Sequence, residues 1–425
     1  MAPYLKETLQ TREFDLNGPS PAFKALWVTP SNYAFTILLL LGGDVVSRAL
    51  AQLAGGFVTP VAFSFGWVSY AVSAINSAIG ENKLMPGADT PCTVINAANG
   101  QSRSNGSWVL GRLMRDFEYW MGKPVKDKVL ELKNSKWEYD KAQAKSKGED
   151  VKKIEFPSHA GLVLSFWKFD ENKKQQFQRP GRDVLFWSGI IVAFLQLGIS
   201  AIPFGLYGNW AVFLVTASAV VLCLLTGCHT QWRREKWACR QIEGRKRTYI
   251  LTRGNGAQHA IIVECDGCGL NLEDLCTGFD NLDSPSISKT TRLSMVVLGS
   301  LWIILLITSS SSALTEQSWY LIAVGGIGML QNMFVAGWSR HPEALGIPLK
   351  FTTVIGSPKV ITALIEAEKG FPTVGRALVG TFFPGGLFPN EEKELEAIED
   401  EEKGRRRKIK ERDNKNLTEV KSGTL

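Results

Sequence analysis

Histidine is scarce in this chain, and recognisable catalytic motifs are missing. The sequence contains only four histidines, and their wide spacing does not suggest an imidazole cluster. It has no G-x-S-x-G, H-E-x-x-H or protein-kinase motif set. It also has no compact basic and aromatic module of a known nucleic-acid-binding type, so we expect no nucleic-acid partner. These absences favour a non-enzymatic role.

Cysteine usage excludes an extracellular disulfide framework. The chain has seven cysteines, an odd number, and most of them lie between Cys228 and Cys276. Only one C-x-x-C pair occurs, Cys265 and Cys268, whereas a strong zinc signal would have two such ligand pairs at finger or ribbon spacing. We keep Cys265 and Cys268 as weak metal candidates, expect ordinary reduced cysteines, and predict no cofactor.

A cleavable secretory signal peptide is also missing. Residues 1–32 carry three basic and three acidic side chains and no early apolar core. The first hydrophobic segment would therefore act as an uncleaved signal.

Charge is absent from four long stretches, as is typical of membrane-spanning helices. These stretches are 184–207, 210–227, 294–314 and 318–338. Each is close to the ~20 residues that cross a bilayer, and a soluble protein would rarely contain four helices that are apolar on all faces. Because the gaps between them are very short, they predict two transmembrane hairpins, 184–227 and 293–338.

Positive residues flank these hairpins and predict their orientation. Arg179 and Arg182 precede the first hairpin, and Arg233 and Arg234 follow it. Positive residues beside spanning helices mark the cytoplasmic side. We therefore predict a multi-pass membrane protein, in contact with membrane lipids, whose polar regions are all cytoplasmic: 81–183, 228–292 and 339–425.

The first membrane block, 33–80, leaves the number of spans open. Its second half begins with a helix-start signal, Thr59-Pro60, and is predicted to span the membrane. Its first half contains "LLLLGGDVVSRALAQLAGG", an apolar run that ends in charged residues. If both halves span, the protein has six helices and the segment 1–32 is cytoplasmic. If the first half does not span, five helices remain and that segment lies outside.

Asp44, Arg48 and Gln52 follow one another at intervals of four residues, so on a helix they form one polar stripe. Ionisable residues inside a membrane are functional candidates by default. The stripe is therefore our candidate site for a proton, ion or substrate pathway. Two structural interpretations stand beside it: a buried pair that fixes the rotation of the helix, and a stripe that faces water at the interface.

The polar regions contain several recognisable segments. Residues 107–121 form an amphipathic pattern with Arg112 and Asp116 spaced to pair, which suits the membrane surface or packing on the protein itself. The Lys-rich stretch 123–153 predicts an exposed helix or a mobile linker. In 228–292, two β-like runs flank Gly254-Asn255-Gly256 and predict a small β-hairpin.

The last polar region divides in two. Residues 339–389 are predicted to be amphipathic and close to the membrane, with a helix that starts at Ser357-Pro358 and ends at Gly370. Residues 390–425 are highly charged and should be a solvated helix or disordered.

Five motifs carry a resemblance to a known family: "GDVVSRALAQ", "TPVAFSFGWVSYA", "NGSWVLGRLMRDFE", "LTRGNGAQHAIIV" and "VGRALVGTFFPGGL". They resemble a functionally uncharacterised family of multi-pass integral membrane proteins of filamentous fungi, over most of residues 33–390. The resemblance implies a membrane architecture and a fungal origin, and it brings no catalytic or binding residue.

We predict an all-α fold, a multi-pass transmembrane bundle of five or six helices whose cytoplasmic loops contain amphipathic helices and a small β-hairpin. The leading functional hypothesis is a non-enzymatic scaffold, sensor or assembly component, for which a homo-oligomer is a compatible state. One alternative is a transporter or channel that uses the stripe of Asp44, Arg48 and Gln52. Another is an enzyme that acts on lipid at the cytoplasmic face through Cys or His residues of 228–292.

Overall fold

Helices alternate with strands along the chain, and a computed structural model describes residues 31–80, 83–148, 150–278, 289–312 and 318–422. The helices of this part are α1 (Ser31–Leu53), α2 (Gly66–Gly80), α3 (Trp108–Arg115), α4 (Phe117–Trp120), α5 (Gly122–Lys147), α6 (Val184–Tyr207), α7 (Ala211–Gly227), α8 (Thr230–Lys236), α9 (Leu272–Thr277), α10 (Lys289–Ser312), α11 (Ser318–Gly337), α12 (Val360–Gly370), α13 (Val374–Phe382) and α14 (Pro389–Ser422). The strands are β1 (Thr93–Asn96), β2 (Ser102–Ser104), β3 (Leu162–Phe169), β4 (Gln241–Thr252), β5 (His259–Leu270) and β6 (Leu349–Ser357).

Three helices of the described chain are long and apolar enough to cross a membrane: Val184–Tyr207, Lys289–Ser309 and Trp319–Gly337. A fourth is added if α7 and α8, which are bent by 44°, count as one span. Only 22%, 28% and 39% of the residues in the three spans are buried inside the protein. Apolar surface of this extent requires a partner, and a lipid bilayer is the usual one.

The chain between α1 and α2 departs from the predicted helix. Thr59-Pro60 does not start a helix, because α2 begins at Gly66 and residues 59–65 are buried without regular structure. These residues instead contact three neighbouring helices, α6, α7 and α11, and these contacts override the local signal. We call residues 59–65 the unwound segment.

Helix α2 returns to the end of the bundle from which the unwound segment enters. Trp67, at its start, stacks on Trp302 in the middle of α10 at 5.4 Å between ring centroids. Further along α2, the side chain of Ile75 lies against Gly299, which is nearer the start of α10. The backbone N–H groups that follow α2 then donate to Glu235 in α8. The unwound segment and α2 therefore enter and leave the bundle at one end.

All six strands form one mixed sheet with the order β2-β1-β4-β5-β3-β6. Strands β3 and β5 are parallel, and the other neighbouring pairs are antiparallel. The polar regions 81–183, 228–292 and 339–425 each contribute strands to this sheet. Because one sheet joins them, these three regions lie together on one side of the helices.

The sheet is covered on both faces. Val163, Leu251 and Ile261 point to one face and share a continuous apolar core with the bundle helices. Leu164 and Ile262 point to the other face and pack under α12 and α13. Because one apolar core runs from the helices to the sheet, burial of apolar area holds the two parts together.

The predicted all-α fold class is wrong, because the described chain contains a six-stranded sheet beside the helices. The described residues also contain three candidate spans, or four with the bent pair, where five or six were predicted. The hairpin around Gly254-Asn255-Gly256 is present as β4 and β5, which are longer than expected. The other strands pair with segments far along the chain, such as β1 with β4. Local patterns do not report such pairings, and a short apolar run like β3 resembles a buried helix segment.

The amphipathic segment 107–121 packs on the protein and not on the membrane surface. Its helix is interrupted at Asp116, and the seven residues from Trp108 to Met114 are all buried. The predicted pair of Arg112 with Asp116 is also wrong. Arg112 pairs with Asp89 at 2.6 Å, whereas Asp116 pairs with Arg115 at 2.7 Å. Neither side chain pairs with the residue four positions away. Because the segment is buried, each charge needs an opposite charge close to it.

Two other local predictions are confirmed. The Lys-rich stretch forms the mostly exposed helix α5, which packs on the sheet through Val125 and Leu132. Helix α12 runs from Val360 to Gly370, close to the predicted bounds.

Candidate functional site

The three residues of the predicted stripe do not form one site. Asp44 and Arg48 pair at 2.9 Å on the outer surface of α1, with 72% and 48% of their side chains exposed. Gln52 is fully buried, and its Nε2 donates to the backbone oxygen of Trp338 at 3.1 Å. We call α1, α2, α6, α7, α10 and α11 the bundle, and the six-stranded sheet with the parts of the three polar regions packed on it the sheet domain. The stripe therefore leads from the outer surface of the bundle to the junction between the bundle and the sheet domain.

At this junction, buried cations cap the end of α1. The Nζ of Lys236 donates to the backbone oxygens of Gln52 at 3.0 Å and Ala54 at 2.9 Å. Arg340 also donates to the oxygen of Gln52, at 2.6 Å, and pairs with Asp183 at 2.8 Å. The last carbonyl groups of a helix lack partners within it and carry a partial negative charge, so cations there are stabilising.

The end of α11 is capped in the same way. Arg112 donates to the backbone oxygen of Ala336 at 2.6 Å, and Arg115 donates to those of Gly337 and Trp338 at 3.2 and 3.1 Å. We call these four cations the capping cluster: Arg112, Arg115, Lys236 and Arg340. The cluster joins the ends of two bundle helices to α3, α8 and the start of the last polar region.

The cluster is expensive to bury and is stabilised by aromatic rings and acids. Burial, with Arg340 and Arg112 nearby, lowers the pKa of Lys236 well below its usual value, and Asp183 partly opposes this shift. Burial likewise lowers the pKa of Arg112 to about 10, although Asp89 opposes it. The ring of Trp108 lies 4.9 Å from the Arg112 guanidinium and 5.5 Å from the Lys236 ammonium.

The unwound segment fits inside the bundle because glycines on the surrounding helices leave room for it. The backbone of Pro60 lies directly against Gly189 of α6, and that of Phe63 lies directly against Gly328 of α11. A Cβ atom at either glycine would overlap a backbone oxygen. Glycine is therefore required at these two positions by close packing against backbone.

Buried amide side chains satisfy the backbone of the unwound segment. Gln196 donates to the oxygen of Phe63 at 2.7 Å, and Asn332 donates to that of Ala62 at 3.0 Å. Both amides are fully buried. Non-helical backbone can exist at membrane depth only where protein groups or water satisfy it, and these two residues supply such groups.

A cleft of about 1350 Å³ opens beside the capping cluster. We call it the junction cleft. Its walls come from the start of α6, the end of α7 with α8, the chain before the unwound segment, and the residues after α11. Arg179, Arg182 and Arg233 line it, together with Trp187. The cleft is therefore both basic and apolar.

The cysteine and histidine candidates do not form a catalytic arrangement in the described residues. Cys265 and Cys268 lie on one strand, β5, and no group of three or more potential metal ligands occurs in the described part of the chain. Burial raises the pKa of the Cys265 thiol to about 12 and also raises that of Cys228, which lines the junction cleft. Thiols with raised pKa values are poor nucleophiles at neutral pH.

Sequence reasoning missed the residues that organise the junction and the bundle. Lys236 and Arg340 flank apolar stretches in the sequence, and nothing local distinguishes a buried helix cap from an exposed cation. Gln196 and Asn332 did carry a signal, because they are amides within otherwise apolar spans. A search of the apolar stretches for ionisable residues alone does not find these two amides.

No protein-family model, curated protein or solved structure matches this chain. The function must therefore be argued from the geometry of the molecule itself.

Proposed function

We propose that this chain is a non-enzymatic membrane scaffold that holds its sheet domain in a fixed position against one face of the bilayer. The observation that carries the proposal is the capping cluster. Its buried cations bind the ends of α1 and α11 to α3, α8 and the segment after α11. A domain joined by buried polar contacts and a continuous core is held rigidly, whereas a domain on a flexible linker would reorient freely.

We propose that α1 crosses the membrane as well as α6, α7, α10 and α11, although α1 is not among the candidate spans. Helix α1 has 23 residues and is about 35 Å long, enough for the ~30 Å of hydrocarbon. The unwound segment and α2 would form a re-entrant element that does not cross. On this topology the sheet domain is cytoplasmic, because Arg179, Arg182 and Arg233 lie on its side of the spans.

The rigidity of the sheet domain can be tested by measuring a distance between two spin labels. Ile191 on α6 and Lys350 on β6 are both exposed and suit labelling, in a background with the exposed Cys228 replaced by serine. In lipid nanodiscs, pulsed electron paramagnetic resonance should give one narrow distance distribution. The control variant is Arg234→Leu, which changes an exposed arginine of α8 outside the junction cleft. It should leave the distance distribution unchanged. A broad distribution in the wild-type protein would contradict the scaffold proposal.

A transporter or channel is a second candidate, and the unwound segment favours it. Interrupted helices at membrane depth line the substrate sites of many transporters. Proton flux into proteoliposomes, followed with an entrapped pH-sensitive dye, tests this candidate. Flux above that of empty liposomes, lost in Asn332→Leu, would support it. The enzyme alternative, the homo-oligomer and the fungal family stay predictions that no described feature favours.

A further inference from the structure

The junction cleft contains more cationic side chains than its own acids neutralise. Two carboxylates line it, and both are engaged: Asp183 pairs with Arg340, and Glu343 pairs with Lys173 at 2.6 Å. Among the described residues, the other lining arginines, Arg179, Arg182 and Arg233, form no ion pair with a carboxylate, and the Arg182 guanidinium lies 5.8 Å from the centroid of the Phe186 ring. An anion in the cleft would therefore meet guanidinium groups that are free to bind it.

The same cleft continues onto the lipid-facing surface of a candidate span. Val184, Trp187 and Ile190, from the first turns of α6, line its apolar side. The next exposed residue along this surface is Ile191, followed by Phe194 one turn later. Phe57, on the opposite wall, is 92% exposed. A ligand in the cleft can thus place a polar group on the arginines and a hydrocarbon chain along α6.

We propose that the junction cleft binds an anionic glycerophospholipid. Its headgroup phosphate would lie at Arg182 and Arg233, and an acyl chain would lie against Trp187. Arginine matches phosphate oxygens with two parallel hydrogen bonds, and basic pockets between spans at the cytoplasmic surface suit anionic headgroups. The inference rests on the proposed membrane orientation, which places α6 in lipid beside the cleft. A free headgroup without acyl chains would leave the apolar wall of the cleft without a contact.

Lipid binding can be measured on delipidated protein in dodecyl maltoside. Mixed micelles that contain phosphatidylserine should raise the unfolding temperature in a saturable way, and native mass spectrometry should detect one retained lipid. Phosphatidylcholine should bind far more weakly. The double variant Arg182→Gln with Arg233→Gln should bind phosphatidylserine about 30-fold more weakly, since each arginine near an anionic lipid surface contributes a factor of about five.

The control variant for charge is Arg234→Gln, which removes an exposed arginine from the same helix, α8, outside the cleft. It should bind phosphatidylserine as the wild type does. If it weakens binding as much as the double variant, the effect is one of net charge and the proposed site is wrong. Equal binding of phosphatidylcholine would also overturn the proposal.

The apolar wall has its own matched pair of variants. Trp187→Ala removes a cleft residue, whereas Phe194→Ala removes an exposed aromatic residue from the same helix outside the cleft. Only Trp187→Ala should weaken lipid retention. If inorganic phosphate alone stabilises the protein as much as phosphatidylserine does, the ligand is a free anion and the lipid assignment fails. Carbonate extraction measures membrane integration separately. If the protein is integrated but does not bind phosphatidylserine, the lipid site in the junction cleft is wrong and the membrane scaffold proposal is unaffected.

Discussion

Individual buried cations connect separate elements of this protein at the junction. Arg340 is fully buried, and its guanidinium donates to the backbone oxygens of Gln52 and Gly181 as well as to the carboxylate of Asp183. Asp183 in turn accepts from the backbone N–H of Phe186 and so caps the start of α6. One side chain therefore connects the end of α1, the start of α6 and the chain after α11.

Arg340→Leu should destabilise the protein by about 3 kcal/mol. Breaking a buried ion pair costs about 3–5 kcal/mol, and we expect the lower end because the Asp183 side chain is 32% exposed. Chemical unfolding in detergent would measure the change. Arg234→Leu, at an exposed position, should change stability by less than about 0.5 kcal/mol. Similar losses in the two variants would show that Arg340 is not a special contact.

The Asp44–Arg48 pair should report the environment of α1. In water, an exposed pair of this spacing is worth about 0.3–0.5 kcal/mol. In hydrocarbon, an unpaired charge costs far more, so each single leucine variant should be less stable than Asp44→Leu with Arg48→Leu. We predict a coupling energy above about 1 kcal/mol from a double-mutant cycle in bicelles. A value near 0.3 kcal/mol would place the pair in water and argue against α1 as a span.

The sequence identified Asp44, Arg48 and Gln52 as one group but could not show that they lie in different environments. Helical spacing places all three on one stripe, yet two of them are exposed and the third is buried. The division depends on where Trp338 and Lys236 lie, and both come from distant parts of the chain. Likewise, no local pattern reveals that an arginine flanking a span is a buried helix cap.

At the scale of secondary-structure elements, the unwound segment is the most unusual feature. The sequence predicted that these residues form the first part of a helix. Packing against α6, α7 and α11 keeps them in a non-helical conformation. The charge-free spans, the β4–β5 turn and helix α12 were predictable because their signals are local. The unwound segment and the four shorter strands were not, because contacts from other elements determine them.

Gly328→Ala should destabilise the bundle, because its Cβ would overlap the backbone oxygen of Phe63. Backbone cannot move aside as a flexible side chain can, so we expect a loss of about 1–3 kcal/mol, as for overpacked cores. Gly326→Ala on the same helix meets open space, and it should be neutral or stabilising by up to about 1 kcal/mol. Thermal unfolding of the two variants side by side tests this. Equal stability would mean that Phe63 does not lie against α11.

At the scale of the whole molecule, three separate polar regions fold into one domain on one side of the helices. Short turns between apolar segments predicted that 81–183, 228–292 and 339–425 lie together, and all three regions contribute strands to the one sheet. The sequence could not show that these regions pair as strands of a single sheet. Long-range strand pairing is encoded in no local pattern.

Residues Asn105-Gly106-Ser107 form a glycosylation sequon, which is modified only on the lumenal or extracellular side of a membrane. Asn105 is buried, and its Nδ2 donates to the backbone oxygen of Ser107 at 2.9 Å. With the sheet domain in the cytoplasm, it should remain unmodified. Epitope tags at the two ends of the chain are better probes.

Protease protection of such tags tests the five-span topology most directly. Five crossings place the two ends of the chain on opposite sides, because the re-entrant element formed by the unwound segment and α2 does not cross. In sealed vesicles with the cytoplasmic face outward, protease should remove the C-terminal tag and leave the N-terminal tag intact. Detergent should expose both. Removal of both tags from sealed vesicles would mean an even number of crossings and would contradict the proposed architecture.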